Sequence, residues 1–168
     1  NASRVAAGTS HSCAVVGTGS VLCWGSGVSG KLGNGGTANS STPVAATGIS
    51  TAVDVSAGSN HSCAALDTDG ARCWGLNSDG QLGDGSTTNS NTPVAVTGIG
   101  NASGVGAGNA HSCAVLGTAG IECWGTNSVG QLGNGNTTGS STPRYIATTP
   151  CSLDLDGNGS HNAITDGL

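Results

Sequence analysis

At 168 residues the chain fits one ordinary domain, yet 31 glycines, 8% charged residues and no Phe or Met leave it unable to build one deep core of aromatic and long aliphatic side chains. Order must come instead from many thin layers of Val, Ala, Leu and Ile held by backbone hydrogen bonds and tight turns, which favours an all-β protein. A net charge of −5 with four Lys and Arg excludes the cationic cluster that a nucleic-acid backbone requires.

No stretch approaches the ~20 apolar residues of a membrane span. The sequence starts at Asn1 without a basic-then-apolar leader, as expected of a processed form or a fragment.

Shifting the chain along itself by 50 residues aligns 1–50, 51–100 and 101–150 without a gap, with roughly 20 of 50 columns identical in all three. The shared columns include A-G-x-x-H-S-C-A, C-W-G, G-x-L-G-x-G and S-x-T-P. Such a period reads as a solenoid, a propeller or an array. The clearest line is "HSCAVVGTGSVLCWG" at 11–25, repeated as "HSCAALDTDGARCWG" at 61–75 and "HSCAVLGTAGIECWG" at 111–125.

The second block shows the punctuation best. "AVDVSAG" alternates, "HSCAAL" alternates, "DTDG" turns and "ARCWG" alternates; "LNSDGQLGDGSTTNSN" is a long loop and "TPVAVTGI" a further strand. Asp-Gly between two alternating runs is a hairpin signal. About four short antiparallel strands per block is the content of one propeller blade. Residues 1–50, 51–100 and 101–150 are therefore expected to be three blades.

A hairpin turning around Thr18 sets Cys13 opposite Cys23, Ala14 opposite Leu22 and Val15 opposite Val21. Directly opposed residues have Cβ atoms about 4.5–5.5 Å apart, close enough for a disulfide after small adjustment. Cys63–Cys73 and Cys113–Cys123 follow by translation, and three such bridges imply an oxidising compartment. The heme signature C-x-x-C-H is absent, and zinc sites bring Cys in closer pairs, although a metal site using His and Cys stays an alternative. His11, His61 and His111 are expected to be half-buried imidazoles bonding a nearby loop, the alternative being convergence on a metal or on protons. Trp24, Trp74 and Trp124 are expected to pack rather than stack on a ligand.

The segments "CWGLNSDGQLGDG" at 73–85 and "CWGTNSVGQLGNG" at 123–135 resemble the repeat family of the regulator of chromosome condensation, whose blades carry G-x-x-H-[ST]-x-A-L and then W-G-x-N-x-x-G-Q-L-G-x-G. The first copy, "CWGSGVSGKLGNG", departs at Gly27 and Lys31. The resemblance covers 1–150 and implies propeller blades and protein binding, and the cysteine pairs are similar to those of secreted bacterial members. The family propeller has seven blades; three give an open arc with unpartnered faces and edges, a setting for pairing with another chain.

Residues 151–168 break the repeat. Asp154, Asp156 and Asn158 take positions 1, 3 and 5 of a D-x-D-x-N-G loop, with Gly159 at position 6 and the Ser160 carbonyl at position 7. This stretch resembles a dockerin-like calcium loop, truncated. Position 12 is Thr165, so Asp166 would serve only in a loop one residue longer. Ca2+ is the expected cofactor, with neither heme nor nucleotide. Cys151, the seventh cysteine, is a candidate for an intermolecular bridge. The Ser/Thr-Pro tracts, and the N-x-[ST] sequons at Asn1, Asn39, Asn60, Asn101, Asn136 and Asn158, are candidate glycan acceptors.

Catalysis finds no support: Ser10, His11 and Ser12 are neighbours in sequence rather than a triad, and G-x-S-x-G is missing. The expectation is a non-enzymatic, extracellular or cell-surface bacterial protein, structural or adhesive, self-assembling with copies of itself into an oligomer or filament. The alternative is a fragment of a larger seven-bladed propeller that binds glycans or another cell-surface protein.

Overall fold

The computed structural model describes residues 1–117 and 120–147. The expected calcium loop (Asp154, Asp156, Asn158, Ser160 and Asp166), the sequon at Asn158 and Cys151 lie outside the described residues.

Three four-stranded antiparallel sheets succeed one another along the chain. The first is β1 (Ala2–Ala7), β2 (His11–Val16), β3 (Ser20–Gly25) and β4 (Ser40–Ala45). The second is β5 (Ala52–Ala57), β6 (His61–Leu66), β7 (Ala71–Gly75) and β8 (Ser90–Ala95). The third is β9 (Ala102–Ala107), β10 (His111–Leu116), β11 (Gly120–Gly125) and β12 (Ser140–Tyr145). Spatial order follows chain order within every sheet, so each blade is a simple meander, and the three blades form an open rather than closed array. The fourth strand of the second blade starts at Ser90, two residues before the alternation in "TPVAV" suggested, and "TGI" lies beyond its end.

The hairpin register is the one its turn dictates. Cys13 pairs with Cys23, Ala14 with Leu22 and Val15 with Val21, and the same pairing recurs as Cys63 with Cys73 and Cys113 with Cys123. All three pairs are disulfides, with Cα atoms 4.1, 4.1 and 4.0 Å apart. Their sulfurs are therefore unavailable as thiolate ligands, which removes the His–Cys metal alternative. Among the described residues no three His, Cys, Asp or Glu side chains cluster as a metal site.

Blades stack face on face, and period-2 alternation gives each blade two different faces. One face carries the disulfide with Val15 and Val21; the other carries the tryptophan with Val5, Ser12 and Ala14. The core between blades 1 and 2 joins Cys13, Val15, Val21, Cys23 and Leu32 to Val55, Ala64, Leu66 and Trp74. The core between blades 2 and 3 repeats it with Cys63, Ala65, Ala71, Cys73 and Leu82 against Ala114, Leu116 and Trp124. The first strands β1, β5 and β9 lie side by side, so the arc is tightest there.

Blade 2 is covered on both faces, which is why every residue of β6 is buried although its sequence alternates. Strands on the outer blades keep exposed positions, as at Val5 and Val115.

The departures in the first copy also acquire a cause. In blades 2 and 3 the long loop winds around an asparagine: Asn77 Nδ2 lies 3.2, 3.2 and 3.1 Å from Asp84 Oδ1, Ser86 O and Thr88 O, while its Oδ1 accepts from Leu82 N at 2.9 Å. Asn127 does the same in blade 3. In blade 1 the loop closes onto the bare backbone of Gly27, where any Cβ would collide with the Ala38 carbonyl. Among the described residues no helix is long and apolar enough to cross a membrane.

Each disulfide closes a loop with a sequence separation of 10 in a sheet of mostly Val and Ala, and such a loop constrains the unfolded chain by about 3 kcal/mol. Replacing Cys63 and Cys73 together by Ser is expected to lower the unfolding free energy by about that amount, read from urea titrations of the oxidised proteins.

Candidate functional site

The chemistry-bearing residues of the repeat converge on the joint between blades. His11, at the start of β2, places its Nε2 2.8 Å from the hydroxyl of Ser62 on the next blade. That hydroxyl donates to the Lys31 carbonyl at 2.9 Å, and Trp74 Nε1 donates to the same carbonyl at 3.0 Å. One backbone oxygen thus receives two side chains of the following blade. The second joint repeats the clasp: His61 Nε2 to Ser112 at 2.8 Å, Ser112 to Gln81 O at 2.8 Å, and Trp124 Nε1 to Gln81 O at 2.9 Å.

Because the serine proton goes to the carbonyl, the serine oxygen accepts, and each histidine must carry its proton on Nε2. Nδ1 of His11 and of His61 is buried without a partner. A second proton would go to that nitrogen and place a charge in the joint. Burial accordingly drives both imidazoles down to about 4, aided for His11 by the neighbouring Lys31 and for His61 by the histidines on either side. His11 and His61 are therefore buried struts between blades, in place of the expected half-buried contacts to a nearby loop, whereas His111 is half-buried.

Lys31 departs from the Gln at the matching positions 81 and 131 and is itself buried. Its Nζ donates to Ser10 Oγ at 2.9 Å, Asn60 Oδ1 at 3.0 Å and Ser59 O at 3.3 Å, and burial pushes its pKa down. Further out, Gly35 N donates to Asn91 O, and Gly85 N to Ser141 O, both at 2.9 Å. Nearer the first strands, Asp54 Oδ2 accepts from Val105 N at 3.0 Å and Ser56 Oγ from Ala107 N at 2.9 Å. The joint is thus tied at its inner edge, centre and rim.

Family models match at these joints. The model described as "Regulator of chromosome condensation (RCC1) repeat" covers residues 18–65 and 73–115. A second model of the same description covers 2–31 and 52–81. This chain belongs to the RCC1 repeat family. The first matched segment runs from the hairpin of blade 1 into β6 of blade 2, so it contains both Lys31 and Ser62; the second contains Trp74, Gln81 and Ser112.

Solved structures agree on the fold. Human WBSCR16 aligns with a TM-score of 0.79 at 22% identity over 94% of this chain and 40% of that one. Prp20p of Saccharomyces cerevisiae aligns at 0.75 and 20% identity over 86% and 38%. Yeast RCC1 (Prp20) in complex with Kap60 aligns at 0.73 and 20% over 89% and 38%. The chain thus spans about two-fifths of the length of these structures. The curated proteins contain no match.

Losing one donor of the clasp is expected to cost about 1–2 kcal/mol where the clasp is closed. Trp74→Phe should destabilise by that amount in urea. In the monomeric chain Trp24→Phe should cost far less, because among the described residues no acceptor reaches Trp24 Nε1.

The histidines give a pH signature. Their folded pKa of about 4 lies below the unfolded value of 6.5, so between these values the unfolded chain binds more protons. The histidine contribution should be complete above about pH 7 and be lost by up to about 1.4 kcal/mol per pH unit per histidine as pH drops from 6.5 towards 4. Urea titrations at stepped pH check this.

Proposed function

We propose that this chain is a non-enzymatic, extracellular structural module whose working surfaces are its two uncovered blade faces, each of which docks a further blade. One observation carries the reading: the same repeat position is buried inside the array and bare at its ends. Val55 is 5% exposed and Val5, its equivalent in blade 1, is 73% exposed; Val15 is 1% exposed and Val115 is 46% exposed. Trp74 and Trp124 are fully buried, whereas Trp24 is not.

Among the described residues these faces carry the same kinds of clasp groups and apolar side chains that meet in the two joints inside the chain. Valines exposed at positions that the repeat otherwise buries, on a chain so poor in charge, support an interaction site there. Three disulfides support an oxidising location outside the cell.

Footprinting the protein recovered from outside the cell with hydroxyl radicals should find Trp24 as protected as Trp74 and Trp124. A Trp24 that reacts as freely there as in a dilute solution of the isolated chain refutes docking at that face.

A further inference from the structure

The open faces are not two copies of one surface; they are the two different halves of one joint. Blade 3 ends the array with a disulfide face: His111, the Cys113–Cys123 bridge, Val115, Ile121 and the Gln131 carbonyl. Blade 1 begins it with a tryptophan face: Val5, Ser12, Ala14 and Trp24. Inside the chain the first kind of face is always covered by the second.

We infer that the occupant of each open face is a second copy of this chain, joined head to tail, with the disulfide face of blade 3 in one copy seated on the tryptophan face of blade 1 in the next. The inference rests on the docking reading above and names its partner.

Three observations select this partner. The first is chemical complementarity. A closed joint needs a histidine and a carbonyl from the leading blade and a serine and a tryptophan from the following one. Blade 3 retains His111 and the Gln131 carbonyl, and blade 1 retains Ser12 and Trp24, so a copy restores every bond of the clasp. Like faces cannot do so, because two tryptophan faces bring neither the histidine nor the backbone carbonyl that the clasp is built on.

The second is room. In blade 2 a Cβ on Gly80 would come within 2.6 Å of the Ser141 Cα, because the following blade presses its fourth strand there. Gly130, the same position in blade 3, has nothing within 4 Å of such a Cβ. The space that Ser141 fills in the chain is thus open for Ser41 of a second copy, which holds the same place in the fourth strand of blade 1.

The third is charge. The position occupied by Lys31 in the first joint is the neutral Gln131 at the open face, so the new joint adds no buried cation. Because the joint unites unlike faces, every added copy again presents a free face at each end, and growth stops only if the arc turns far enough to meet itself.

The test uses two full-length variants, each carrying a charge on one exposed face: Val5→Asp, which blocks the tryptophan face, and Val115→Asp, which blocks the disulfide face. Both positions are solvent-exposed in the isolated chain, so the far-ultraviolet circular dichroism spectra should match the parent. In sedimentation velocity at micromolar concentration the parent chain should form species larger than a monomer. Each variant alone should be monomeric, its self-association weakened tenfold or more.

An equimolar mixture of the two should give a one-to-one dimer and nothing larger, since it retains one intact pair of faces. A mixture that stays monomeric, a single variant that assembles like the parent, or a monomeric parent overturns the head-to-tail copy. If any of these occurs while Trp24 is protected in the protein recovered from outside the cell, docking stands and the occupant is a different protein.

Discussion

No blade of this protein can cover itself. A four-stranded meander built from Ala, Val, Ser and Gly has little to bury except against another such sheet, and the fold is the consequence of repeating that need. The backbone carbonyl at position 31 or 81 is where the need is met most specifically. It lies in the long loop of one blade and receives the hydroxyl and the indole N–H of the next, with a histidine completing the contact. The apolar layers supply the driving force, while this oxygen fixes which face meets which and in what register.

The division of labour within the repeat follows. Cysteines act inside a blade, locking the hairpin whose two strands form the middle of the sheet. Histidine, serine and tryptophan act between blades. Glycines in the long loop let the chain approach the neighbour closely, as at Gly33 and Gly83, where a Cβ would press on the indoles of Trp74 and Trp124. The repeat invites catalytic and metal readings because it gathers His, Ser, Cys and Trp into one line of sequence. In space those residues are shared between two joints and a bridge.

Much of the fold was legible before any coordinates. Period-2 alternation, the Asp-Gly turn and the spacing of ten between cysteines fix the hairpin and its pairing, because each is a local geometric constraint. The fate of His11, His61 and Ser62 was not legible, because their partners lie about one full repeat away and the pairing depends on how blades stack. A signal existed in the invariance of H-S-C across the three copies: a loop contact accounts for the histidine but not for the serine that always follows it. The full burial of β6 was likewise hidden, since alternation reports two faces but not whether the second is covered. The expected calcium loop and the bridge at Cys151 belong to residues beyond those described.

The disulfides join strands within a blade and never cross from one blade to another. Tension applied at the two ends of the chain would therefore meet covalent resistance only inside each sheet. Unfolding one blade would lengthen the molecule in a step limited to about 40 residues, roughly 140 Å, because the ten residues spanned by the sulfur bridge cannot extend. Built this way, each extension under load would be short and would leave the bridged hairpin of its blade closed.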